Sequence, residues 1–157
     1  MREERPLSAA ERLLVAGMFG DAIDPDPVRI RRWRWWPLQP ARVVMAPMGH
    51  IHVAPGSDSW CECYAGQGVA VEAFFLHEMT HVWQAQTRGR WYLPLMRHPF
   101  CRYAYRIEPG RPFERYGIEQ QAEIVAHAHM LRRGHAVAGK PGAEVYEALL
   151  PFGKAPS

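Results

Sequence analysis

No stretch of this sequence approaches the roughly 18 consecutive apolar residues that a membrane-spanning helix requires, so no helical span is expected. The first residues, Met1-Arg2-Glu3-Glu4-Arg5, carry both signs of charge, and the apolar stretch that follows is broken by Glu11 and Arg12. A signal peptide needs an uninterrupted apolar segment, which this pattern lacks. The expectation is a soluble protein made in the cytoplasm, reaching any other compartment by a route other than an N-terminal signal. Excess charge is also in short supply: 19 Lys and Arg against 16 Asp and Glu leave a formal net charge of +3. That is too near balance to imply a polyanionic partner. Cysteine is scarce, with 3 residues at Cys61, Cys63 and Cys101, and an odd number cannot close into a complete disulfide framework. One pair could still close, for instance Cys101 with Cys61 or Cys63; reduced thiols fit equally well. There is no internal repeat.

What is present suffices for a folded domain. The chain has 157 residues, 48% of them hydrophobic and 22% charged, which suits one domain over residues 1–157 with a core of its own. Ser8 followed by Glu11 has capping-box spacing and opens a short amphipathic helix that ends at Gly20. Partial alternation predicts strands over 28–36, 42–45 and 50–53, read together as a small antiparallel sheet. The strongest helical period runs over 69–87, where Val71, Phe74, Phe75, Met79, Val82 and Trp83 recur at steps of three and four before Gly89 stops it. Residues 91–112 form an aromatic, proline-rich crossover with a short alternating piece at 103–107. A second long helix is predicted over 113–133, in two parts around Gly117, and a last short one over 143–150. The expected class is α+β, with two long helices packed on the small sheet.

The chemistry concentrates on the first long helix, in His77-Glu78-Met79-Thr80-His81. Residues four apart on a helix stack on one face, so the two imidazoles present to a common point, half of a zinc site. Glu78 lies beside the coordination position that remains open, where a carboxylate can take a proton from water. A third ligand is needed, and the second long helix offers Glu119 and Glu123, again four apart on one face. If one binds the metal, the other can accept a hydrogen bond from the far ring nitrogen of a ligand histidine; His127 shares that face and is a third contender. Carboxylates on an apolar-striped face are costly unless paired, and a metal ion is the simplest partner.

Two other features carry less. Arg29, Arg31, Arg32 and Arg34 interleave with Trp33, Trp35 and Trp36, as in surfaces that track phosphates and stack bases, but a strand with one wet and one buried face reads the same way. Nucleic acid is not the expected partner; a docking surface for a carrier or an acidic substrate fits better. Cys61-x-Cys63 with His50 and His52 could form a second metal site, although the spacing is not the usual Cys-x-x-Cys and ordinary burial is the preferred reading. His98 and His135 stand alone.

The segments His77-Glu78-Met79-Thr80-His81-Val82-Trp83-Gln84 and Tyr116-Gly117-Ile118-Glu119-Gln120-Gln121-Ala122-Glu123-Ile124-Val125, with Met45-Ala46-Pro47-Met48-Gly49-His50-Ile51 and Tyr103-Ala104-Tyr105, resemble the Vgr-related metallopeptidase domains fused to, or encoded beside, VgrG-type spike proteins of bacterial type VI secretion systems. The resemblance covers about 35–130. It departs at Met48, where the family often has Asn, and at His52, where it often has Tyr. It implies a zincin-like α+β domain, zinc held by His77, His81 and Glu119, with Glu123 supporting a ligand histidine and Glu78 as general base. It also implies an antibacterial effector carried by a separate VgrG-type spike into the periplasm or cytoplasm of a target cell, with an immunity protein as a further partner. Hydrolysis of a peptide bond would need a donor for the charge developing on the carbonyl oxygen. Tyr105, Tyr116, His127 and Arg106 are candidates, with Tyr105 preferred because its strand comes just before the ligand-bearing helix. The rival readings are a catalytically silent, zinc-stabilised adaptor of a secretion system and a zinc amidase acting on cell-wall peptides.

Overall fold

The computed structural model describes residues 2–98 and 100–153. Among them the order is β1 (Glu4–Pro6), α1 (Ala9–Phe19), β2 (Arg29–Arg31), β3 (Ile51–His52), α2 (Val69–Arg88), α3 (Tyr92–Met96), a 3-10 turn (Phe113–Arg115), α4 (Ile118–Arg132) and α5 (Ala143–Leu149). The class is α+β. No helix among the described residues is long and apolar enough to cross a membrane.

The sheet is mixed, which corrects the antiparallel expectation. β1 runs antiparallel to β2, and β2 parallel to β3. A parallel partner requires a crossover of about a dozen residues or more, and the chain between Arg31 and Ile51 supplies one. That crossover is not strand. Gln39, 2% exposed, takes over its hydrogen bonding: its side-chain oxygen accepts from the Trp35 amide, and its nitrogen donates to the carbonyls of Val43 and His52. The strand expected over 28–36 therefore stops at Arg31, and the one expected over 42–45 reduces to a single bridge between Met45 and His52. Nothing in the charged segment Glu3-Glu4-Arg5 announced β1, because its cross-strand partners are ionic: Arg31 pairs with Glu4 at 3.0 Å and Arg32 with Glu3 at 3.1 Å. The alternating piece at 103–107 forms no strand either. Side chains cap its carbonyls, Gln120 donating to Ala104 and Lys140 to Tyr105.

The capping box at Ser8 is present, and its acid has a larger task. Glu11 is fully buried; it accepts a fork from Arg5 at 2.8 and 2.9 Å, and the amides of Ser8 and Tyr64 at 2.8 Å each. One carboxylate thus ties β1, the start of α1 and the loop that leads into α2. Burial works against its charge, yet Arg5 and the two amides outweigh burial and hold its pKa below the usual carboxylate value.

α2 lies between Gly68 and Gly89, whose φ values of 108° and 96° suit glycine alone and set the ends of the helix. It packs along α4 in the opposite direction, as paired residues show: Glu72 meets His129, His77 meets Glu123, His81 meets Glu119, and Gln84 meets Ile118. Leu76, Met79 and Val82 from α2 and Ile124, Val125 and Ala128 from α4 lie in one apolar core. Past α5, Phe152 closes its end against Phe19, Trp83 and Phe113. The three cysteines are unpaired.

Candidate metal centre

His77 and His81 project from the same face of α2, their ring centroids 5.1 Å apart. Glu119 reaches them from the first turn of α4, where the helix dipole favours a carboxylate. Its Oε2 lies 3.3 Å from His77 Nε2 and 3.1 Å from His81 Nε2. One ligand atom from each of the three residues falls within 4.8 Å of the others, a cluster that could hold a metal ion.

The far ring nitrogens are both engaged. His77 Nδ1 is 2.9 Å from Glu123 Oε1, and His81 Nδ1 is 2.8 Å from Gln84 Oε1. The Gln84 amide nitrogen donates to the Ile118 carbonyl and to Gln121 Oε1, each at 2.9 Å. A carbonyl only accepts, so Gln84 must turn its oxygen toward His81, and His81 must carry its proton on Nδ1. The Nε2 lone pair of His81 then faces the Glu119 carboxylate. At that separation the two repel unless a cation lies between them, a proton shared with Glu119 in the metal-free chain or a metal ion in its place, so the donor set fits a metal ion.

The surrounding charges agree. Burial opposes a charged ring at His77, but its hydrogen bonds with Glu119 and Glu123 outweigh that and raise its pKa to about 10. Glu119, although burial pushes the other way, is held well below the ordinary carboxylate range by the two histidines and Arg97. Without a metal the site keeps a proton where a metal cation would sit. Two carboxylate oxygens here are buried with no hydrogen-bond partner among the described residues, Glu119 Oε1 and Glu78 Oε2. Burial raises the Glu78 pKa despite the nearby histidines.

The cluster opens into a cleft of about 340 Å³ whose wall includes Phe74, Glu78, Arg97, Tyr103, Glu123 and His127. Reading the sequence missed three contributors. Arg97 follows α3 and stands 3.6 Å from Glu119 Oε1. Tyr103 lies nearly parallel to the His77 ring, with centroids 6.2 Å apart. Gln84 was visible, three residues after His81, but only the facing helix shows what its amide does. Of the four candidate oxyanion donors, only His127 lines the cleft. Tyr105 instead places its hydroxyl between His127 and Tyr146. Tyr116 accepts the Glu108 amide and lies under Arg111; Arg106 lies on a separate surface hollow with Arg102 and Glu108.

The other sequence features have ordinary partners. His50 accepts the Arg29 amide, His52 is packed against Trp33, and Cys63 lies 3.2 Å from the Ser8 hydroxyl. Among the described residues no second group of metal-binding side chains converges. Arg31 lies over Trp33 and Arg32 over Trp60, while both arginines also pair with acids of the N-terminal segment. Their charge is largely spent within the chain.

No family model matches the chain. The type VI secretion system spike protein VgrG2b of Pseudomonas aeruginosa is 42% identical over an aligned length of 132 residues, and the match covers 77% of this chain and 12% of that protein. This chain therefore spans only a small part of the spike protein's length. Among solved structures, the effector domain of Pseudomonas aeruginosa VgrG2b matches with a TM-score of 0.71 and 33% identity, over 92% of this chain and 80% of that one. With most of both chains superposed at that identity, the chain belongs to the family of the VgrG2b effector domain.

Proposed function

We propose that this chain is a zincin-like, zinc-dependent peptidase that acts as an antibacterial effector of a type VI secretion system. The observation that carries the reading is the pairing of both far ring nitrogens, with Glu123 and Gln84, which leaves the Nε2 atoms of His77 and His81 and one Glu119 oxygen converging on one point. Two imidazoles with one carboxylate suit zinc. Three protein ligands, rather than the four of a structural staple, leave a position open toward the cleft. This favours catalysis over the silent adaptor. An amidase acting on cell-wall peptides would use the same centre and differ only in substrate.

When bound, zinc would polarise the scissile carbonyl and acidify water. The chain's own residues do the rest. Glu78 takes the proton of the attacking water on its unpartnered Oε2 and delivers it to the departing amine; its raised pKa suits a proton that is held and then released. Glu123 and Gln84 keep the two histidines in the ligand tautomer. Kinship with the VgrG2b effector domain supports delivery by a VgrG-type spike, and a peptidase toxic to bacteria would call for an immunity protein in the producing cell.

The test combines metal analysis with toxicity. Purified wild type and Glu78→Ala should carry about one zinc per chain, and His77→Ala and Glu119→Ala far less. Wild type directed to the periplasm or cytoplasm of a bacterium should arrest growth in one compartment, and Glu78→Ala in neither. Equal zinc in all four proteins refutes the site; undiminished toxicity of Glu78→Ala refutes the enzyme.

A further inference from the structure

The hydroxyl of Tyr105 lies 2.6 Å from His127 Nδ1 and 2.5 Å from the hydroxyl of Tyr146. With a neutral ring, two proton arrangements are available. In the first, Tyr146 donates to Tyr105, Tyr105 donates to a bare Nδ1, and every proton has an acceptor. In the second, Nδ1–H donates to Tyr105 and Tyr105 donates to Tyr146, so the proton of Tyr146 has nowhere to go. Tyr146 is 0% exposed, and its hydroxyl has no other partner among the described residues. Leaving that proton unpaired is costly, so the first arrangement wins.

The far side of the ring agrees. His127 Nε2 faces Glu123 Oε2 at 3.6 Å, an ionised acceptor that favours a proton on Nε2. That distance is too long for a hydrogen bond, so the Nε2–H is not used up within the protein. Burial and Lys140 lower the pKa of His127 even with Glu123 nearby, which keeps the ring neutral and its tautomer meaningful. His127 lines the cleft that also holds Glu78, His77, His81 and Glu119. Tyr103 lines it too, nearly parallel to the His77 ring and with Arg97 on the same wall.

We propose that His127 is a catalytic residue whose Nε2–H donates a hydrogen bond to the carbonyl oxygen of the scissile peptide bond as negative charge builds on it, and that Tyr105 and Tyr146 are positioning residues that hold the ring in the donor tautomer. The proposal rests on the peptidase reading. It moves the donor role from Tyr105, the tyrosine preferred from sequence, to the histidine that Tyr105 orients.

Two measurements test it. In the metal-free chain, nitrogen-15 NMR of the imidazole should show His127 protonated on Nε2 and should show a tautomer mixture in Tyr105→Phe. A ring protonated on Nδ1 in wild type overturns the proposal whatever becomes of the peptidase reading. In the zinc-loaded chain, with internally quenched peptides of mixed sequence as the probe, His127→Leu should lower kcat by about 100-fold with KM little changed. His127→Gln, whose amide can donate from near the Nε2 position, should restore part of the loss, and Tyr105→Phe should show a smaller loss in kcat alone. An undiminished kcat in His127→Leu overturns the donor role and leaves the peptidase reading standing. Failure of wild type to cut any peptide removes both.

Discussion

Gln84 Oε1 lies 2.8 Å from His81 Nδ1, and the Ile118 carbonyl, 2.9 Å from the Gln84 nitrogen, prevents the amide from turning over. The facing helix α4 thereby sets the tautomer of a histidine on α2. Removing such a support typically costs about 10- to 100-fold in metal affinity. Gln84→Leu is expected to weaken zinc binding by about that factor while the helical circular dichroism stays unchanged. Competition against a chromophoric chelator measures it.

Glu123 and Glu119 play different parts, and substitutions separate them. Glu123 meets His77 at Nδ1, whereas Glu119 meets both rings at Nε2. Gln at 123 can still accept from Nδ1, so Glu123→Gln should retain zinc within a few-fold of wild type, and Glu123→Ala should bind it more weakly. Glu119→Gln should bind far less, because a neutral amide oxygen is a poor zinc ligand. Loss of zinc in Glu123→Gln as severe as in Glu119→Gln would make Glu123 a direct ligand.

Zinc uptake should release a proton. In the metal-free chain His77 stays charged up to about pH 10, and a ligand nitrogen must be bare. Calorimetry at pH 7 in buffers of different ionisation enthalpy should detect about one proton released per ion. The sign for stability follows from the raised pKa. For the metal-free chain, this contribution is complete below 6.5, the ordinary histidine value, and is lost as pH rises through about 10. The zinc-loaded chain should not show that loss.

Glu11 governs the acid side. Its pKa is lowered in the fold, so its contribution is complete above the ordinary value of 4.5 and is lost as pH falls through the lower folded value. Chemical denaturation of wild type across that range should show the loss, and Glu11→Gln should show less of it from a lower starting point. Arg5→Ala strands the fully buried acid and should cost about 3–5 kcal/mol at neutral pH, the usual result of breaking one side of a buried pair. A cost below 1 kcal/mol would remove this network from the account of the fold.

Much of the helical frame was legible in the residues themselves. The period through Phe75, Met79 and Val82, the glycines at 68 and 89 and the Ser8–Glu11 cap are local signals, and α2 and α1 follow them within a residue or two. The sheet was less legible. Its strands are two and three residues long, too short for alternation to register, and its direction depends on a crossover whose hydrogen bonds come from the Gln39 side chain.

By itself the sequence determined that His77 and His81 share a face, because the helical period of 3.6 requires it, and that Glu119 and Glu123 share another. Only the tertiary structure decided how the two faces meet: with the helices antiparallel, Glu119 comes to the Nε2 atoms and Glu123 to an Nδ1. It also decided that Tyr103, not Tyr105, faces the cleft. Both choices turn on the relative placement of segments far apart in the chain, which long-range packing sets and local spacing cannot encode.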